Sequence, residues 1–291
     1  MPDPITNAII DTLIYADLFD YALTPDQIFR YLIGVRASRQ DVDNALNDHA
    51  RLNGSVLRFG GYLALPHRAS NVIARERWRD DAQKKMPRAR FYARLLARFP
   101  FVRMIALTGG LAMENARDGD MDFFIVATPG RLWFVRGIAV ALVHVAHRFG
   151  DNLCPNFLVT ENALVMREQN LYTAHEVAQM IPLYGLPVFK RLRELNAWIE
   201  TFLPNAEVAD PLTETSLGRV SAFVKHTAEH ALGGRIGNQI ERWEMTRKVA
   251  KLSAQIPARA DGVEFSADVC RGFFSGHGNR VLKEFYARNE Q

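Results

Sequence analysis

The run Leu107-Thr-Gly-Gly-Leu-Ala-Met-Glu-Asn-Ala-Arg-Asp-Gly-Asp-Met-Asp-Phe-Phe-Ile-Val126 decides how this chain is read. Its first residue closes an apolar strand, Val102 to Leu107, and Thr108-Gly109-Gly110 turns the chain at once into a short helix. Glycine adopts backbone conformations closed to other residues and lets a bound group approach the main chain. The start of a helix offers unpaired N–H groups and a dipole that favour phosphate. A second apolar strand, Met121 to Ala127, follows, with Asp120 and Asp122 at its entry. Two residues apart on a strand, these carboxylates point to one face, roughly 6.5 Å apart along the chain. So placed they converge on one or two magnesium ions, which take hard oxygen ligands shared between protein and phosphate. Paired ions stabilise both the attacking and the leaving oxygen. The plain alternative is an α/β unit in which Asp118-Gly119-Asp120 is only a solvated turn.

Outward from this run the pattern is strand and helix in alternation. Thr128-Pro129-Gly130 is a turn, and Arg131 to Phe149 is a long, mostly buried helix. Phe157 to Thr160 and Ala163 to Met166 read as a hairpin around Glu161-Asn162. From Leu171 onward the periodicity is helical almost to the end: Tyr172 to Met180, Val188 to Phe202, Thr213 to Leu232, Gln239 to Gln255 and Arg280 to Arg288. Upstream, residues 70–100 read as helices broken by Pro87, because proline removes a helical donor and crowds the preceding turn. The first 68 residues read as three helices and a hairpin. Ile9, Ile10, Leu13, Ile14 and Leu18 recur at helical spacing. Thr24-Pro25-Asp26-Gln27 and Ser38-Arg39-Gln40-Asp41 are helix starts. Gly60-Gly61 between two short apolar runs supplies the positive φ of a tight hairpin. The expected organisation is a winged helix-turn-helix-like module over 1–68, an α/β centre over 69–170 and a helical domain over 171–291.

Composition bounds the rest. The chain has 291 residues, 48% hydrophobic and 23% charged, which excludes fibrous and disordered classes and leaves room for about two domains. Cys154 and Cys270 are too few for a disulfide framework and form no CxxC zinc motif. They suit a reducing cytoplasm. The N-terminus lacks the basic lead-in of a signal peptide. The most apolar stretch, Gly137 to Ala146, is half the length that a membrane span needs. Net charge is +4, but Arg75 to Arg103 carries ten basic residues against Glu76, Asp80 and Asp81. That run is either a solvated helix face or an anion-facing surface. The third helix mixes Arg39 and Arg51 with Asp41, Asp43 and Asp48. Those acids would face phosphates, so docking suits the N-terminal module better than DNA.

The strand, the Gly-Gly pair, nine intervening residues and Asp120-Met121-Asp122 entering an apolar strand together resemble the DNA polymerase beta-like nucleotidyltransferase superfamily. More loosely, the whole chain resembles uncharacterised bacterial nucleotidyltransferases with an N-terminal winged helix. The resemblance implies an α+β fold with a nucleotidyltransferase core. It implies an enzyme that moves a nucleoside monophosphate from a triphosphate, ATP by default, to an acceptor and releases pyrophosphate. By it, Thr108, Gly109 and Gly110 would cradle the nucleotide's phosphates, and Asp120 and Asp122 would be catalytic and hold Mg2+. The superfamily takes a third carboxylate from a later strand. Here the slot falls on Asn156 in Cys154-Pro-Asn-Phe-Leu-Val-Thr160. Its amide oxygen can ligate a metal but cannot accept a proton at neutral pH. Asp151 and Glu161 flank that strand as substitutes. A site short of a base suits acceptors that ionise readily, such as phosphate or carboxylate.

Secondary candidates are weaker. His175 could serve as a base beside Glu176, although a lone helical histidine is more often packed. The pairs His144/His147 and His226/His230 lack a third ligand. Arg131 and Arg136 are candidate phosphate contacts, and Gly233-Gly234-Arg235-Ile236-Gly237 reads as a turn between helices. Two rivals stay open: a degenerate chain that binds nucleotide without turnover, and a DNA- or RNA-binding regulator using the first module and the basic run.

Overall fold

The computed structural model describes all residues except 1–2, 49–51, 53, 118, 208–214, 256–262, 273–276 and 290–291. Arg51 and Asp118 therefore lie outside the described residues, as does the expected helix start at Thr213. Three helices open the chain: α1 (Pro4–Asp17), α2 (Pro25–Arg30) and α3 (Arg39–Asn47). Both expected capping boxes form, Thr24 with Gln27 and Ser38 with Asp41, each satisfying two otherwise unpaired N–H groups. A two-stranded antiparallel hairpin follows, β1 (Leu57–Phe59) and β2 (Tyr62–Ala64), turning through Gly60 at φ 58° and Gly61 at φ 84°. Two consecutive left-handed residues are what a two-residue hairpin matched to strand twist demands. Ile9, Leu13, Ile28, Leu32, Val42 and Leu46 fill the core between these elements.

Helix α4 (Ala69–Ala97) runs unbroken through Pro87, contrary to the expected break. Proline deprives only the carbonyl one turn earlier, at Gln83, and both residues are exposed, so water satisfies that group. Then come β3 (Val102–Thr108), the short α5 (Gly109–Ala112), β4 (Asp120–Ala127), α6 (Leu132–Arg148) and β5 (Asn152–Thr160). Strands β3 and β4 pair antiparallel, and β4 and β5, joined through α6, pair parallel.

The remaining elements are α7 (Leu171–Ala178), β6 (Ile181–Tyr184), α8 (Leu186–Leu195), α9 (Ile199–Phe202), α10 (Arg219–Leu232), α11 (Arg235–Ser253), β7 (Glu264–Phe265), β8 (Val269–Arg271) and α12 (His277–Asn289). The mixed sheet runs β6-β3-β4-β5-β8-β7, so the chain is α+β. Two expectations fail here. The stretch 171–291, expected to be helical, supplies both sheet edges: β6 beside β3, and β8 with β7 beside β5. Strand β6 contains Pro182, tolerated because an edge strand pairs on one side only. The expected hairpin at 157–166 is absent. Glu161 to Ala163 forms a single 3-10 turn capped by the Thr160 hydroxyl, and β5 finds its antiparallel partner in β8 instead.

Alternation along the strands gives the sheet two apolar faces. Leu107, Phe123, Ile125 and Ala127 pack beneath α4, α6 and α11, around the fully buried Trp133. Met104, Ala106, Phe124, Val126 and Val159 pack against α7, α8 and α12, together with Tyr15 and Tyr31 from the first module. Cys154 and Cys270 are not joined by a disulfide. No helix among the described residues is long and apolar enough to cross a membrane.

Much of the basic run is spent internally. Arg75 is 1% exposed. It lies over the rings of Tyr21 (4.5 Å) and Tyr62 (5.4 Å) and donates to the Glu114 carbonyl at 3.0 Å. Lys85 donates to the Gly119 carbonyl at 2.8 Å, and Arg88 pairs with the buried Asp151 at 2.6 Å. Asp17, also buried, receives Arg68 at 2.9 Å, Asn71 at 3.1 Å and Arg288 at 2.7 Å. The first module is thereby fixed to α4, to the loop before β4 and to the C-terminal helix. Arg75→Ala removes a buried cation, two ring contacts and the partner of a loop carbonyl. It is expected to lower unfolding free energy by about 2–4 kcal/mol in urea denaturation. Exposed Arg77→Ala is expected to stay within about 0.5 kcal/mol. Equal losses would contradict this bracing.

Candidate active site

Strand β3 ends at Thr108, which stands directly opposite Asp122 in the antiparallel β3–β4 register. The Thr108 hydroxyl donates to the Asp122 carbonyl at 3.4 Å. The chain turns at Gly109, φ 64°. A Cβ there would lie 3.1 Å from Cγ of Asp122 and closer still to its Oδ2. Glycine is therefore required twice, for the left-handed backbone and for the room in front of the carboxylate. The Gly110 carbonyl accepts the N–H groups of Met113 (3.0 Å) and Asn115 (2.8 Å), and Glu114 is left-handed at φ 55°. This loop is held from outside by the Tyr21 hydroxyl, which donates to the Met113 carbonyl, and by Arg75 on Glu114.

Asp120 and Asp122, both partly buried, alternate on β4 with Met121 and Phe123. They share the face of Phe124 and Val126, as expected of a period of two. That face opens into a cavity of about 920 Å³ whose wall includes Thr108, Phe124 and Asn156. Asn156 is the extra residue of a bulge in β5, between Pro155 opposite Phe123 and Phe157 opposite Phe124. A bulge re-aims side chains, and this one places Asn156 in the cavity wall with Thr108. Among the described residues no group of three or more His, Cys, Asp or Glu is placed to hold a metal ion. The candidate donors remain two carboxylates and an amide.

The opposite wall comes from α7, through Tyr172, Thr173 and Glu176. Burial raises the Glu176 carboxyl to about 7, the charge of Asp122 adds to the rise and Arg271 opposes it. Tyr172 is likewise raised by burial, then by Glu176. The charge of Asp122 thus reaches Glu176, although the cavity is lined by Thr108, opposite Asp122, and not by Gly109, Gly110, Asp120 or Asp122 themselves. His175 does not share it: its ring stacks on Tyr15 at 4.0 Å, and burial holds it down at about 3. Between these two neighbours, the site residue is the glutamate, which sequence reasoning passed over for the histidine. Successive side chains on a helix diverge by about 100°, so only one of the two can face the cavity, and no local signal in the sequence says which.

The other candidates are engaged elsewhere. Asp151 accepts from Arg88 and, at 2.8 Å, from Tyr92. Glu161 faces Arg103 at 3.8 Å. Arg131 donates to the carbonyls of Leu232 (3.2 Å) and Gly233 (2.8 Å), at the turn between α10 and α11. Arg136 lies 5.6 Å from the Trp133 ring centroid, and its charge offsets part of the rise that burial imposes on the Cys270 thiol. His144, His147, His226 and His230 are exposed. Trp243 is 62% exposed beneath Arg247. Arg39 on α3 is paired with both Asp26 and Asp43.

Comparison of the chain with protein-family models, with curated proteins and with solved structures finds no match.

Two outcomes follow from this geometry. Gly109→Ala and Gly130→Ala both place a side chain at positive φ, but nothing lies within 4 Å of a Cβ at Gly130. Gly130→Ala is expected to cost about 1 kcal/mol from backbone strain alone, and Gly109→Ala more, because Asp122 must move. Equal losses in urea would contradict the close approach. The second concerns pH. Between about 4.5 and 7 the folded chain holds a proton on Glu176 that the unfolded chain releases. Its ionisation therefore subtracts stability as pH rises through that window, by at most on the order of 3 kcal/mol. Relative to the parent, Glu176→Gln is expected to gain several degrees in melting temperature from pH 5 to pH 8. A constant difference would contradict the raised carboxyl.

Proposed function

We propose that this chain is a magnesium-dependent nucleotidyltransferase. Its sheet would be the polymerase beta-like core, and its first three helices and hairpin a winged-helix module used for packing. The observation that carries the reading is the Thr108–Asp122 register. It sets the Gly109 turn against a carboxylate whose approach only glycine leaves open. The residues fit the ion: Asp120 and Asp122 are hard oxygen donors, Asn156 adds an amide oxygen nearby, and Gly109 preserves space that any side chain would fill. A magnesium ion held by these residues would supply charge neutralisation for the triphosphate and for the α-phosphoryl group in transfer.

The chain's own groups do the positioning. The main chain of Gly109 and Gly110 lies against the phosphates, and Thr108 orients Asp122 through its carbonyl. The first module supports this loop through Tyr21, and α4 through Arg75, which lies over the rings of Tyr21 and Tyr62. ATP is the first donor to test. Nucleotide binding without transfer is the second reading, and Asn156 favours it, standing where the superfamily carries a carboxylate. The regulator reading has less in its favour, since Arg39, Arg75 and Arg88 already have partners within the protein.

Thermal unfolding with each nucleoside triphosphate, with and without magnesium, tests the reading. A ligand at 100 times its Kd adds about 2.7 kcal/mol, several degrees for a chain of this size. The expected result is a magnesium-dependent rise for at least one triphosphate, absent in the Asp120→Asn/Asp122→Asn variant. A rise that survives the double substitution, or none with any triphosphate, would contradict it. Pyrophosphate release then separates transfer from binding alone.

A further inference from the structure

The 920 Å³ cavity beside Asp122 carries two polar side chains that have no partner in the protein. Thr173 is 8% exposed and its Oγ1 neither donates nor accepts a hydrogen bond. Glu176, three residues on and therefore on the same face of α7, lines the same wall. It takes part in none of the hydrogen bonds or ion pairs of the described residues. Glu176 is half-buried, and Thr173, buried without a partner, is in a costly state that calls for an explanation. The arginines around the cavity are already matched. Arg271 pairs with Glu168 at 3.2 Å, Arg167 with Glu264 at 3.1 Å, and Asp268 accepts the Thr160 hydroxyl. Phe124, Val159 and Met180 give the cavity an apolar floor.

We propose that this cavity is the acceptor pocket, and that the acceptor is a small molecule presenting an aliphatic hydroxyl to Glu176 and Thr173. The proposal rests on the nucleotidyl-transfer reading. The volume lies in the range of small-molecule sites. With its neighbours paired, Glu176 leaves the cavity with an unmatched acidic group, so phosphate and carboxylate acceptors are repelled. This reverses the acceptor preference drawn from Asn156 alone. Glu176 is also the proton acceptor that Asn156 cannot be. The acceptor oxygen bonds to the α-phosphorus while its proton passes to the Glu176 carboxylate. The bond from that phosphorus to the oxygen bridging to the β-phosphate breaks, and pyrophosphate leaves with the electron pair.

The test is a crystallographic soak of the full chain with a fragment panel of molecules below about 300 Da. The panel contains neutral polyols and alcohols alongside carboxylates and phosphate esters. The expected result is hydroxyl-bearing fragments seated within hydrogen-bond distance of Glu176 and Thr173. In solution, Glu176→Gln and Thr173→Val are each expected to weaken the best such fragment tenfold or more. A rise in melting temperature with magnesium-ATP should persist in both variants. Fragments in the cavity without any nucleotide-dependent rise would remove the transfer reading and with it the acceptor role. A nucleotide-dependent rise with the cavity empty, with anionic fragments preferred, or with binding unaffected by both substitutions would overturn the pocket assignment alone.

Discussion

The close approach of Gly109 to the Asp122 carboxylate is the constraint on which the rest of the site depends. It follows from the register that sets Thr108 opposite Asp122. That register follows in turn from the two apolar faces of the sheet. A one-residue slip of β4 would exchange the apolar residues of its two faces and turn the Asp120 and Asp122 carboxylates towards the buried face that holds Met121 and Phe123. Hydrophobic packing on both sides therefore fixes the position of a polar pair at the strand's end. The carboxylates stay at the rim of the core, where the strands run out of apolar partners.

The first module is part of this arrangement. Tyr21, Arg75 and Lys85 hold three carbonyls of the segment between Gly110 and Asp120: those of Met113, Glu114 and Gly119. A loop with one left-handed non-glycine residue, Glu114, needs its conformation over-determined by surroundings. The buried guanidinium of Arg75 and its two aromatic faces supply that. What looks in the sequence like a basic, anion-seeking helix is in large part the brace of the site loop.

The strand–glycine–strand unit was readable from residues because each of its parts is local: an apolar period of two, a Gly-Gly pair, two acids two apart. Asn156 was readable for the same reason, although its bulge was not. Glu176 was not readable. It reaches the cavity from a helix more than fifty residues beyond Asp122, and nothing local distinguishes it from a solvated glutamate beside a histidine. The sheet edges escaped notice because β7 and β8 span two and three residues and β6 carries Pro182. Their strand character comes from the partner they meet, not from propensity. Pro87 misled in the opposite direction, since the rule against internal proline weakens where the freed carbonyl is in water.

A crystal structure of the chain with a non-hydrolysable ATP analogue and manganese, the metal located by its anomalous scattering, probes the Gly109–Asp122 arrangement most directly. The expected result is a manganese peak against the carboxylates of Asp120 and Asp122, with the phosphates lying along Thr108 to Gly110. Manganese absent from these carboxylates, or the triphosphate bound elsewhere on the chain, would contradict the site and leave the glycine turn as packing alone.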